Sequence, residues 1–369
     1  MALIHHDQRD YKQAVDETAL AFQNQLFGLI EKGRTTAGNV ISKIEKEIPT
    51  DIIVPVSSMS AFNVSDGNIR FIDGTIHQHA LNQFCEKVGI PKVYADRLLA
   101  KGDWGKELLV ANLNDQYTNY EESESKFLIR SVDSQVRGFL SDKFRRLDSR
   151  PIIDAFVKAC AEVGAVPIEG VGGDTRICIK AVLPMVFRVG DEILAYGVTI
   201  SNSDFGNGAL SVRIFLLRVW CTNFAQMDEA LREIHLGRKL DANIEYSAKT
   251  YELDSQAMAS AVTDIISSKL SPEAVESYLD SIRRSVEEKV DPKNLMTRLT
   301  NMGFLKREAE QVREIYNDGG VEQLPPGNNS WRFSNAISWL AHQPGIAPER
   351  QLELEVQAGK VLAAVAAPN

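Results

Sequence analysis

The sequence predicts an α+β protein with a central, largely antiparallel sheet flanked by N- and C-terminal helical regions. Three observations predict it. Runs rich in Ile, Val, Phe and Tyr, broken by Gly and Pro, concentrate between 126 and 224. Apolar residues at helical spacing dominate on either side. The composition, 44% apolar and 25% charged over 369 residues, is that of a folded chain long enough to bury a sizeable core.

Taken in order, DETALAFQNQLFGLIEKG (16–33) spaces Leu20, Phe22, Leu26, Leu29 and Ile30 as a helix, with Gly33 as its stop. DIIVPV (51–56) and NIRFID (68–73) read as strands. TIHQHALNQFCEKVGIP (75–91) and PKVYADRLLAKG (91–102) read as helices, the second with Pro91 in its first turn. EESESK (121–126) is a polar break. KFLIRSV (126–132) and QVRGFLS (135–141) form two strands around a short turn, and RPIIDAFVKACAEVG (150–164) a helix. AVPIEG, TRICIKAVLPMVFRVG and EILAYGVTISNS then supply several antiparallel strands. Helices are expected at 252–270, 272–289, 293–302, 304–317, 331–342 and 348–364. Ser271-Pro272-Glu273 is a clean start, LTNMGFL (299–305) a turn between two short helices, and GGVEQLPPGNNS (319–330) a linker. The expected division is 1–125, mainly helical with short strands; 126–250, the β-rich core; and 251–369, helical.

The net charge of −9 is uneven. Residues 1–125 carry 12 basic against 18 acidic groups, residues 126–240 carry 16 against 13, and residues 241–369 carry 13 against 19. The total argues against a general polyanion binder, but the relatively basic middle permits a local anion groove. Four scattered cysteines, Cys85, Cys160, Cys178 and Cys221, form no CxxC pair and read as reduced, mostly buried thiols. No apolar run approaches the roughly 20 residues that span a bilayer, and MALIHHDQRD has no apolar signal core, so a cytoplasmic location is expected.

Three stretches carry candidate chemistry. LSDKFRRLDSR (140–150) crowds Lys143, Arg145, Arg146 and Arg150 among Asp142 and Asp148. Asp148 or Ser149 suits the cap of the helix that follows, while Arg145 and Arg146 precede the cap and are expected to face outward towards an anion. Arg130 and Arg137 lie on the preceding strands. SNSDFGNG (201–208), with Asn202, Asp204 and Gly206, reads either as a hairpin turn or as a phosphate-holding loop; it lacks the Lys-Ser/Thr of a P-loop. After it, Arg213 and Arg218 interrupt the apolar run VRIFLLRVWC, where a charge must be paired or reach solvent, and Arg218 is expected to be buried and paired. In EIHLGRKLD (233–241), His235, Arg238 and Lys239 suit either a helix C-terminus or ligand contact. His77 and His79, two positions apart, do not share a helix face and are set aside as metal ligands. No nucleophile elbow, HExxH, Walker A or Rossmann motif is present.

VRGFLSDKFRRLDS (136–149), ISNSDFGNGALSVRIFLLRVWCTNF (200–224) and HLGRKLD (235–241) resemble signature segments of the phage/plasmid-like proteins called the domain-of-unknown-function 932 family. HALNQFCEKVGIPKVYADRLL (79–99) and WRFSNAISWLAHQ (331–343) are similar to its flanking segments, so the resemblance covers roughly residues 75–365. Phe224 stands where the family often has Gly, and Asp204 where it often has Glu. The resemblance implies a source on phage, plasmid or prophage DNA and a bacterial cytoplasm, and supplies no activity.

The leading expectation is a non-enzymatic nucleic-acid-binding protein, for single-stranded DNA binding or annealing, with no cofactor, no metal and no membrane partner. Arg137, Lys143, Arg145, Arg146, Arg213, Arg218, His235, Arg238 and Lys239 would contact phosphates, with Phe144 and Trp220 as stacking faces. Asp142, Asp148, Asn202, Asp204, Gly206 and Asn223 would shape the loops around them. The acidic flanks are expected to favour a partner or a homo-oligomer. One alternative is an interaction protein that binds or inhibits a host factor, in which the acidic helical ends are the working surface and the arginines are structural ion pairs. The other is a metal-dependent nuclease or nucleotide-handling enzyme with Asp142, Asp148 and Asp204 as metal ligands.

Overall fold

The computed structural model describes residues 11–59, 61–122, 124–219, 223–233, 246–318 and 324–366, with the backbone alone over 223–233. The first element is a 30-residue helix, α1 (Glu17–Lys46). Asp16 caps it, accepting the Ala19 N–H at 3.0 Å, and Lys43 and Lys46 meet the negative end of its dipole. Its buried stripe is Ala19, Leu26, Ile30, Gly33, Ala37 and Val40, at the 3.6-residue period. The expected stop at Gly33 is corrected: the helix runs 13 residues further. Gly33 is a contact point instead, because a Cβ there would lie 1.6 Å from the Ile168 carbonyl oxygen.

The first sheet contains β1 (Thr50–Pro55), β2 (Asn63–Ser65), β3 (Asn68–Phe71), β4 (Gly74–Ile76), β5 (Lys126–Val132) and β6 (Gln135–Ser141), in the order β1-β5-β6-β4-β3-β2. All pairs are antiparallel except β4 with β6. Three helices pack against it, α2 (Gln78–Lys87), α3 (Lys92–Leu99) and α4 (Asp103–Thr118). An aromatic core joins them: Phe84 stacks on Phe139 with centroids 4.0 Å apart, and Phe62, Phe71, Tyr117 and Phe127 surround the pair. The segment expected as one helix from 75 starts as a strand, because Thr75 and Ile76 pair with Gln135 and Val136. Since β5 and β6 belong to this sheet, the expected boundary at 125/126 falls inside it.

The second sheet follows α5 (Ser149–Glu162) and is antiparallel throughout. It contains β7 (Val166–Gly172), β8 (Ile177–Val182), β9 (Phe187–Val189), β10 (Glu192–Asn202), β11 (Leu210–Arg218) and β12 (Asn223–Glu233), in the order β12-β11-β10-β8-β7, with β9 on β10. Both faces are covered, which is why its strands read as continuous apolar runs rather than alternating ones. Ile179, Val198, Ile200, Val212 and Ile214 join the core shared with α5 and the C-terminal helices. Val182, Ala195, Phe215 and Leu217 meet Ala19, Leu26 and Ile30 of α1. The C-terminal helices are α6 (Ala248–Lys269), α7 (Pro272–Glu287), α8 (Leu295–Asn301), α9 (Lys306–Asn317), α10 (Ser330–Ala341) and α11 (Pro348–Ala366). Ser271 caps α7 as expected, and Met302–Phe304 is the turn between α8 and α9, with Gly303 at φ 81°. The α+β class holds, with two sheets rather than one. Among the described residues no helix is long and apolar enough to cross a membrane.

Candidate functional site

Some of the residues singled out in the sequence, Arg146, Asp148, Asn202 and Asp204, gather around Arg130 where the two sheets meet. Arg130 on β5 is the hub and is 2% exposed. Its guanidinium donates to Asp51 Oδ1 at 2.7 Å, Asp148 Oδ1 at 2.7 Å and the Asp204 carbonyl at 2.9 Å. Burial alone would lower its pKa; Asp148, Asp51 and Asp204 outweigh that and raise it, so the charge is locked. Asp204 is half-buried, and its pKa is pushed up to about 6, by desolvation of its carboxyl first, against the opposing pull of Arg130.

LSDKFRRLDSR sits on this hub. Arg145 makes a two-pronged bond to Asp254 on α6, at 2.6 and 2.7 Å. Arg146 pairs with Asp51 Oδ2 at 2.7 Å and lies 4.2 Å from the ring centroid of Tyr251. Lys143 is exposed and Asp142 half-buried. Phe144 is buried with Leu128 and Leu140, so it presents no stacking face. Asp148 occupies the cap position of α5, but its carboxylate goes to Arg130. The capping acceptor comes from elsewhere: Asp204 Oδ1 takes the Ser149 N–H at 2.8 Å and the Ser149 hydroxyl at 2.7 Å. On β6, Arg137 binds both carboxylate oxygens of Glu47, just beyond α1.

The SNSDFGNG loop is a plug between the sheets. Phe205 presses on Gly138 of β6, where a Cβ would lie 3.2 Å from the Phe205 Cα. The Phe205 carbonyl accepts from Gln83 and contacts His79, both on α2, and Asn202 donates to the Leu147 carbonyl at 2.8 Å. Gly206 adopts φ +77°, which only glycine does without strain. The cavity beneath the loop measures about 30 Å³, room for a water and no organic ligand.

Arg218 is 1% exposed and binds both oxygens of Glu192, at 2.8 and 2.9 Å, with Asn335 nearby at 3.4 Å, as expected for a charge in IFLLRVWC. Arg213 is half-buried, level across the sheet with Thr199, Lys180 and Glu169. His235, Arg238, Lys239 and Trp220 lie outside the described residues, as does the side chain of Asn223. Thus Arg137, Arg145, Arg146 and Arg218 are held by carboxylates on different elements and do not line one open groove. Asp148 and Asp204 both face the Arg130 guanidinium, and Asp142 stands apart from them. Among the described residues no group of His, Cys, Asp and Glu is arranged to hold a metal ion.

Two features had not been singled out. Lys180, 1% exposed, is clamped by Glu169 at 2.7 Å and by Glu355 of α11 at 3.0 Å. Its signal, a lysine inside ICIKAV, is the same one that marked Arg218. The second is an exposed aromatic face on α3 and α4. Trp104 is 61% exposed, and Leu108 continues its stripe one turn on. Asn112, a turn further, donates to the Tyr94 hydroxyl of α3 at 3.3 Å, and Val93 beside it is exposed. Lys101 lies 5.5 Å from the Trp104 ring centroid. From Lys92 to Asp115 the two helices and the turn between them carry four basic and four acidic residues, so this stretch has no net charge. An open groove between α9 and α10, floored by Ile315, Trp339 and Leu340, holds none of the predicted residues.

No family model matches the chain, and neither a curated protein nor a solved structure matches it.

Proposed function

We propose that the chain is a non-enzymatic interaction protein, which docks a protein partner on the aromatic face of α3 and α4 and uses its central arginines as internal braces. The observation that carries this reading is the exposed stripe of Trp104, Leu108 and Tyr94, with Val93 beside it, in a neutral charged rim. Aromatic anchors in a charge-balanced border suit a protein surface. A phosphate backbone asks for unbalanced positive charge, and four of the arginines that would supply it, Arg137, Arg145, Arg146 and Arg218, are engaged by carboxylates. In the phage or plasmid setting that the sequence resemblance implies, the partner is a host protein.

The test has two arms. Wild type is titrated against fluorescent single-stranded DNA at several salt concentrations, and no binding is expected even at low salt. In parallel, a photo-cross-linking residue replaces Leu108 in the host cell, the captured protein is identified and purified, and its affinity is measured. Trp104→Ala is expected to weaken that affinity by about thirtyfold, the signature of a hot spot worth roughly 2 kcal/mol. Salt-dependent DNA binding that survives Trp104→Ala and is lost in the Arg145→Ala, Arg146→Ala double variant would restore the nucleic-acid reading.

A further inference from the structure

Over Thr18–Ile30, the N-terminal half of α1 contains no charged residue, in a chain where one residue in four is charged. A helix that lies on a sheet ordinarily shows charges on its outer side. Here the outer side shows Leu20 at 55% exposure and Phe27 at 46%, with Asn24 between them. Val15, at 69%, stands just before the cap. Val15 and Leu20 hold the positions of a hydrophobic staple across the helix start, a local role that leaves Phe27 without an explanation. Gly28 borders the stripe, and a Cβ there would meet nothing within 4 Å.

We infer that this stripe of α1 docks a second copy of the chain, in an antiparallel helix pair whose two-fold axis passes beside Asn24. The sequence is self-complementary in that register. Leu20 of one copy falls level with Phe27 of the other, and the contact is made twice because a two-fold interface is isologous. Charge selects the same place. Two copies at −9 each repel, and between Thr18 and Ile30 neither copy brings a charge; at either end Glu31 falls level with Asp16 of the other copy, and each of these carboxylates already pairs within its own chain, with Arg34 and Arg188. Gly28 and Ala21 leave room for the helices to approach closely. The stripe needs no ordering before it binds, because the helix is fixed from behind where Gly33 meets the Ile168 carbonyl and Ala37 meets Gly170. A pair made along about four turns of helix is smaller than a standard stable interface, so the dimer is a reversible, concentration-dependent one.

Sedimentation velocity of wild type across about 1 to 100 µM is expected to show the monomer giving way to a dimer. The Leu20→Glu, Phe27→Glu double variant is expected to stay monomeric over the same range with an unchanged melting temperature, since both side chains are exposed. A second measurement fixes the register. Under mild oxidation Asn24→Cys, at the axis, is expected to cross-link to itself at low protein concentration, whereas Ala161→Cys on the exposed side of α5 is not. Wild type supplies the blank, and the Cys85 and Cys178 thiols stay inert because burial pushes their pKa values up to about 11 and about 12. Wild type that remains monomeric at 100 µM overturns the inference. So does a dimer that persists in the double variant, which would place the contact on another surface such as the α3–α4 face.

Discussion

Arg218 shows how strongly one buried charge binds its surroundings. Its guanidinium has left water almost completely, and Glu192, itself 12% exposed, compensates it. Arg218→Ala is expected to lower unfolding stability by about 3–5 kcal/mol, because Glu192 would then be a buried carboxylate without its cation. Urea denaturation measures this, and an unchanged midpoint would show that the pair contributes nothing to the fold. Asp204 is the opposite case, a carboxyl that the fold prefers protonated. Its folded pKa of about 6 lies above the ordinary 3.8, so its contribution improves as pH falls from 7 towards 4. His77, His79 and His342 work against it in part of that range: burial lowers their pKa values, so acidification below about 6.5 costs stability. The two trends separate by difference. Between pH 7.5 and pH 5, Asp204→Asn is expected to lose more stability on acidification than wild type, by an amount on the order of 2 kcal/mol. Parallel pH profiles for the two proteins would remove Asp204 as the titrating group.

At the scale of the elements, α1 approaches β7 closely, and the contact depends on missing side chains. Gly33 faces the Ile168 carbonyl, and Gly170 faces Ala37, where a Cβ would lie 2.5 Å from its Cα. Gly33→Ala is expected to lower the melting temperature although alanine is the better helix former by about 1 kcal/mol. Gly38→Ala, five residues on and open to solvent, is expected to raise it. If both substitutions behave alike, helix propensity governs and the close approach does not. The same glycine marks the limit of what the sequence discloses. Periodicity found α1, and a glycine at the end of an apolar pattern reads as a C-cap; only the β7 backbone behind it, 135 residues away, gives it another meaning. The strands from 126 to 141 were legible by composition, as was the turn that joins them, but their outer partners were not: β1 and β4 lie far upstream, and pairing between distant segments leaves no mark in either. The arginines were legible as charges out of place. Their acceptors, Glu47 and Asp51, Glu192, and Asp254, sit on three other stretches of chain, so an internal brace and an open anion site look the same in one dimension. The Trp104 face was missed because it borders the buried stripe Gly105, Leu109 and Leu113, and a tryptophan beside such a stripe reads as core.

At the scale of the whole molecule, separate hydrophobic cores are bolted together, largely through polar groups. The aromatic core under the first sheet is separate from the cores on the two faces of the second. Arg130, Arg137 and the Phe205 plug join them. In calorimetry wild type is expected to melt in a single transition. Arg130→Ala is expected to split off an earlier one as the first sheet and its helices lose their coupling to the rest. A single transition that only moves to lower temperature would mean that the plug alone keeps the halves cooperative.

The placing of α1 has a consequence for how the chain is made. The helix ends at Lys46, and β7, the strand it lies on, begins at Val166, 120 residues later. At a synthesis rate of about 5–20 residues per second, α1 leaves the ribosome roughly 6–24 s before its seat exists. For that interval Leu26, Ile30 and Val40 face water or whatever else is at hand, and the last strand of the first sheet, ending at Ser141, is itself made only late in it. The newborn chain therefore carries a sticky helix ahead of its seat, and it is during translation that this helix most needs a chaperone or a neighbour to cover it.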